Sequence, residues 1–137
     1  MPRDLDQHLR QSLAYMHLPA MASHSTWTPN TDVYETPEHL YVKMEIAGIE
    51  REDLEITLND RLLVVRGYRK DPCRQHRCSF RQMEIDYGYF ERRIVIPRSV
   101  DGSHTRAQFS NGFLRIELPK SPQSEHATVT VIIEQAG

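Results

Sequence analysis

The chain has 137 residues and a mass of 16.0 kDa, room for one modest domain with tails. Charged residues make up 26% and apolar residues 39%; a net charge of −2 and a pI near 6.4 give no reason to expect nucleic acid or an anionic membrane as a partner. No apolar run approaches the roughly 20 residues of a membrane-spanning helix, two cysteines cannot build a secreted disulfide framework, and Met1-Pro2-Arg3-Asp4-Leu5 lacks the apolar core of a secretory signal, so a cytoplasmic protein is expected.

Asp4 is placed to cap a short helix, with Gln7 in the capping-box position. Leu5, Leu9 and Leu13 follow at helical spacing, and Met16 extends the stripe. A helix of a few turns is marginal unless its stripe is buried. The stripe either packs on the chain's own domain or is buried against, or exposed to, other chains; the Met-Ala-Ser-His-Ser-Thr run before Trp27 reads as a flexible connection and favours the second.

From Trp27 the period changes to two. Asp32–Thr36 reads as a short strand and Pro37-Glu38-His39 as a turn. Leu40, Val42, Met44 and Ile46 alternate with polar or amphipathic neighbours, the pattern of a half-buried strand. After an acidic turn at Glu50–Asp53, Leu54, Ile56 and Leu58 form the next inward row. Asn59-Asp60 turns the chain into Leu62-Leu63-Val64-Val65, apolar on both faces and so expected in mid-sheet. Short strands with turn signals between them predict an all-β, antiparallel sandwich.

The segment from Tyr68 to Tyr89 breaks this rhythm and is long for a connection in a compact domain. Its first part, through Cys73 and Cys78, is basic and polar. Its second, Phe80, Arg81, Gln82, Met83, Glu84 and Ile85, suits an extended segment that could pair with the open sheet edge of another subunit. In the next strand Phe90, Ile94 and Ile96 share a face with Arg92, a costly place for a charge unless a carboxylate or carbonyl meets it or it reaches water.

Ala107 and Phe109 alternate with polar residues up to Asn111-Gly112, a pair suited to a tight type I′ turn. Leu114, Ile116 and Leu118 then form one apolar row, and Pro119 ends the strand. Beyond Lys120 a polar stretch leads to Val129, Val131 and Ile133, which share a face of an extended segment.

The stretch from Ala107 to Lys120 resembles the A-x-x-x-N-G-x-L-x-I-x-L-P-K signature closing the α-crystallin domain of small heat-shock proteins. The resemblance covers Trp27 to Lys120 and, more loosely, the tail. It implies an immunoglobulin-like α-crystallin sandwich over 27–120, a short, partly helical or disordered arm over 1–26, and a flexible extension over 121–137 with an I-x-I-like motif. The long loop resembles the bacterial, archaeal and plant branch, in which the loop strand is exchanged to make a homodimer. Arg92, five positions before Pro97 in F-E-R-R-I-V-I-P, matches an arginine used in interchain ion pairs. The tail matches a plug for a neighbour's apolar groove, with Val129/Val131 and Val131/Ile133 both candidates. The resemblance places that groove between Leu54, Ile56 and Leu58 on one side and Leu114, Ile116 and Leu118 on the other; the plain alternative for the tail is a last strand of the same sandwich.

The resemblance therefore implies an ATP-independent holdase that binds partly unfolded clients, assembles as dimers into larger oligomers, and needs no cofactor. No glycine-rich phosphate loop occurs, and the scattered histidines and the Ser110 turn give catalysis little support. Two other readings stay open. Cys73, His76 and Cys78 form a weak C-x-x-H-x-C cluster that could answer to redox conditions or metal, though no metal site is assigned. A monomeric co-chaperone module of the related CS fold is the other, disfavoured by the long loop and the tail.

Overall fold

The computed structural model describes residues 26–75, 78–122 and 128–135. The predicted arm residues Leu5, Leu9, Leu13 and Met16, and His76 of the cysteine cluster, lie outside them.

Nine strands occur among the described residues: β1 (Thr31–Glu35), β2 (His39–Glu45), β3 (Leu54–Asn59), β4 (Leu62–Arg69), β5 (Gly88–Val95), β6 (Arg106–Ser110), β7 (Phe113–Pro119), β8 (Thr128–Thr130) and β9 (Ile133–Gln135). They form two sheets, in the orders β1-β2-β7-β6-β9 and β5-β4-β3-β8. All pairings are antiparallel except β6 with β9. The fold is thus the expected β-sandwich; among the described residues the helical elements are short 3-10 turns at Arg51–Asp53, Pro72–Gln75 and Gly102–His104.

Alternation along the strands determines what fills the space between the sheets. Leu40, Val42 and Met44 of β2 face inward with Leu114, Ile116 and Leu118 of β7, all buried. Ile56 and Leu58 of β3, Leu63 and Val65 of β4, and Phe90 and Ile94 of β5 meet them from the second sheet. β4 lies mid-sheet between β3 and β5, with Leu63, Val64 and Val65 all buried. At the β6–β7 hairpin both turn residues have positive φ, Asn111 at 54° and Gly112 at 81°, as a type I′ turn requires. Gly67 lets the sheet close over Phe90, since a Cβ there would lie 2.3 Å from the ring.

Candidate functional site

Three places on this sandwich could engage another chain: the seat of the C-terminal segment, the sheet edges, and the loop from 70 to 87.

The C-terminal segment lies across the open side of its own sandwich. β8 pairs with β3, Leu58 opposite Val129, and β9 pairs with β6, Ala107 opposite Ile133. The segment therefore joins one sheet and then the other, covering the outer edges of both β3 and β6. Between the two short strands, the Val131 N–H donates to the Ile56 carbonyl at 2.9 Å. Val131 and Ile133 enter the core at 5% and 7% exposure, while Ile132 between them points outward at 81%. Val129 is half-buried. Of the two candidate pairs, Val131/Ile133 is the one sunk into this seat.

One wall of the expected groove needs correction. Leu114, Ile116 and Leu118 belong to β7, which is flanked by β2 and β6 and presents no edge to a tail. Their side chains fill the central core, and the wall facing the segment is β6, with Ala107 and Phe109. On the other wall β3 supplies its backbone edge, while Ile56 and Leu58 turn their side chains into the core and Leu54 packs partly buried against it. Sequence reasoning also passed over Arg51. From the 3-10 turn before β3, its Nη1 donates to the Ile133 carbonyl at 3.1 Å, pinning the far end of the tail. Within the chain alone Arg51 looks like one more charge in a solvated acidic turn.

The second region is the sheet edges. β1 has β2 on one side and no strand on the other among the described residues, and Val33 and Tyr34 on it are exposed. Glu35 at its end accepts from Lys120 Nζ at 3.1 Å and lies 3.4 Å from Arg98 Nε. The Lys120 hydrogen bond is the main cause holding the Glu35 carboxyl below its usual range. β5 is the edge of the other sheet. Arg92 sits half-buried on the apolar face between Phe90 and Ile94, its Nε out of contact with water and without a hydrogen-bond partner. Buried donors of this kind are rare in complete assemblies.

The loop is the third. Past the turn at Pro72–Gln75, none of its described residues joins a strand before β5. Phe80 and Ile85 are exposed at 47% and 61%, Arg81 and Glu84 also stand in solvent, Met83 is half-buried, and Gln82 hydrogen-bonds Glu84. The base of the loop is closed by a cluster the sequence did not flag. Arg69 donates from Nε to the Asp86 carbonyl at 2.8 Å and from Nη1 to the Ala47 carbonyl at 2.9 Å, with its guanidinium 4.0 Å above the Trp27 ring. Trp27 Nε1 donates to the Gly88 carbonyl at 2.8 Å, and Thr26 Oγ1 to the Tyr87 and Tyr89 carbonyls. Burial is the main reason the Arg69 guanidinium loses protons more readily than usual. The segment leaving the arm and both ends of the loop therefore meet at one point.

Among the described residues, the sandwich thus has a C-terminal segment seated across two strand edges, an edge strand with no neighbour on one side, and a loop exposing Phe80 and Ile85. Among the described residues no cluster of His, Cys, Asp and Glu could hold a metal ion, and no helix is long and apolar enough to cross a membrane.

Residues 32–134 match the Hsp20/alpha crystallin family, and the chain belongs to it. It is similar to small heat shock protein C2 of Rickettsia felis, 28% identical over 103 residues, covering 75% of this chain and 67% of that protein. Among solved structures, heat shock protein 16.0 of Schizosaccharomyces pombe aligns with a TM-score of 0.67 at 29% identity, covering 74% of this chain and 94% of that one. A small heat-shock protein from Xylella fastidiosa, described as having a distinct high order structure, gives a TM-score of 0.64 at 30% identity, with 77% and 96% covered. The family is one of stress-response chaperones, not enzymes.

Proposed function

We propose that this chain is an ATP-independent holdase of the cytoplasm, which binds partly unfolded proteins and keeps them from aggregating. It works as a homodimer made by exchange of residues 80–85, and as larger assemblies linked through the C-terminal segment. One observation carries this reading: among the described residues β1 has an edge with no neighbour, and residues 80–85, which expose Phe80 and Ile85, join no strand. Laid on the β1 edge of a second copy, residues 80–85 would satisfy both sets of backbone groups and cover Val33, Tyr34, Phe80 and Ile85. Arg92, with a buried and unpaired Nε, is suited to a carboxylate supplied by that second copy.

The tail seat supports the assembly step. Its grip consists of two apolar side chains, two three-residue strands and the Arg51 contact, joined to the sandwich through residues 121–127. Nothing in those contacts distinguishes the chain's own tail from a neighbour's. Releasing the tail bares the β3 and β6 edges and the apolar slot between them, surface that an unfolding client could cover.

Light scattering of a heated model client with the protein in excess tests the holdase. Suppressed scattering is expected, and unchanged scattering rejects it. Mass by light scattering for the intact chain and for a truncation after Lys120 tests the assembly, with a fall from a large particle to a dimer expected. The tail's place on its own sandwich favours one other reading, a monomeric CS-type module, and a monomeric mass at micromolar concentration would select it.

A further inference from the structure

The proposed assembly and client capture assign no role to the chain's two cysteines. Cys73 lies in the turn Pro72–Gln75, anchored by the buried Asp71, whose carboxylate accepts the Cys73 N–H at 3.0 Å. Cys78 lies beside it, its thiol donating to the Cys73 carbonyl at 3.3 Å. Both cysteines are solvent-exposed and free. They stand at the root of the loop, ahead of the segment from Phe80 to Ile85.

We propose that Cys73 and Cys78 are a dithiol oxidation site, which a hydroperoxide closes to a single intramolecular disulfide. In the first step the thiolate of one cysteine attacks the hydroperoxide; an S–O bond forms, the O–O bond breaks, and the alkoxide or hydroxide leaves with a proton as alcohol or water. In the second, the other sulfur attacks the resulting sulfenic acid; the S–S bond forms, the S–O bond breaks, and water leaves with the second thiol proton. The dithiol loses two electrons, and the peroxide gains them.

Proximity selects the intramolecular product. A partner held on a short stretch of the same chain acts at a millimolar or higher effective concentration, so at micromolar protein it outcompetes a thiol on another chain by about 10³-fold. Partial desolvation, then the neighbouring Cys78 and Asp71, push the Cys73 thiol up. That slows attack by Cys73, since the thiolate is the nucleophile. An exposed disulfide in so short a ring belongs to the readily reduced kind, so the change is reversible.

The site is read out without any reference to oligomer state. The reduced full-length protein, cleared of metal with a chelator, is treated with hydrogen peroxide, alkylated with iodoacetamide and weighed intact. The expected product is one chain about 2 Da lighter, the mass of the two hydrogens lost, with neither thiol alkylated and full reversal by dithiothreitol. On a non-reducing denaturing gel it runs as a single chain. Cys73→Ser and Cys78→Ser should each abolish that product. Two alkylatable thiols after peroxide, protection found only in cross-linked double chains, or separate over-oxidation of each sulfur would each overturn the proposal. It stands or falls independently of whether residues 80–85 exchange between subunits.

Discussion

Ile132 and Ile133 are adjacent and chemically identical, yet the structure assigns them opposite roles, and alanine at each position tests the tail seat directly. Ile133 is 7% exposed in the core cluster, and Ile132 is 81% exposed. Ile133→Ala removes three carbons from a buried site, about 2.5 kcal/mol of transfer free energy at about 0.8 kcal/mol per methylene. The cavity left behind brings the cost to about 3 kcal/mol, within the range for such truncations. That energy falls on a short segment and not on the whole sandwich, so it acts mainly on docking. At about 1.4 kcal/mol per factor of ten, the undocked population rises about 10²-fold. Ile132→Ala should change docking by less than about 0.5 kcal/mol, as surface substitutions do. Amide hydrogen exchange at Val131, whose N–H is held by the Ile56 carbonyl, reports docking locally. The expected result is about 10²-fold faster exchange for I133A and little change for I132A. Equal effects from both substitutions, or none from I133A, would refute the seat as described.

Gly67→Ala should lower stability by about 1–3 kcal/mol in thermal unfolding, because its Cβ would sit 2.3 Å from the Phe90 ring and 3.0 Å from Leu54 Cδ2; an unchanged melting temperature would contradict the packing there. Arg69→Met removes the guanidinium stacked on Trp27, the chain's single tryptophan. Its fluorescence should shift, and protease cleavage within 70–87 should speed up several-fold, since the Asp86 and Ala47 carbonyls lose their donor. Asp101, hydrogen-bonded chiefly by Ser103 and then by His104, and Glu35, held by Lys120, both ionise below their ordinary values of 3.8 and 4.5. A depressed carboxyl contributes stability that is present above its ordinary value and lost as pH falls through the lowered one. Melting temperatures should therefore drop on acidification below about pH 4.5, and Asp101→Asn combined with Glu35→Gln should flatten part of that drop.

The sequence by itself determined the sandwich. Leu40, Val42, Met44 and Ile46 can all face a core only as a strand, Asn111-Gly112 can turn only one way cheaply, and the doubly apolar Leu62–Val65 run belongs in mid-sheet. These are local facts, set by side-chain period and backbone sterics, and they survive any arrangement of neighbours. The family signature in residues 107–120 was readable for the same reason.

What the sequence left open were relations between strands distant along the chain. Ala107-x-Phe109 and Leu114-x-Ile116 show the same alternation, yet of the two strands only β6 has an edge left for the C-terminal segment, because β2 takes the other side of β7. Strand order is a long-range pairing choice, and no local pattern encodes it. The same holds for Arg51, which becomes a tail contact only once the sheets bring the Ile133 carbonyl beside it. It holds again for Trp27 and Arg69, 42 positions apart in the chain and stacked at the base of one loop. Period and turn chemistry wrote the strands; packing of the two sheets decided which edges stayed open and what now lies across them.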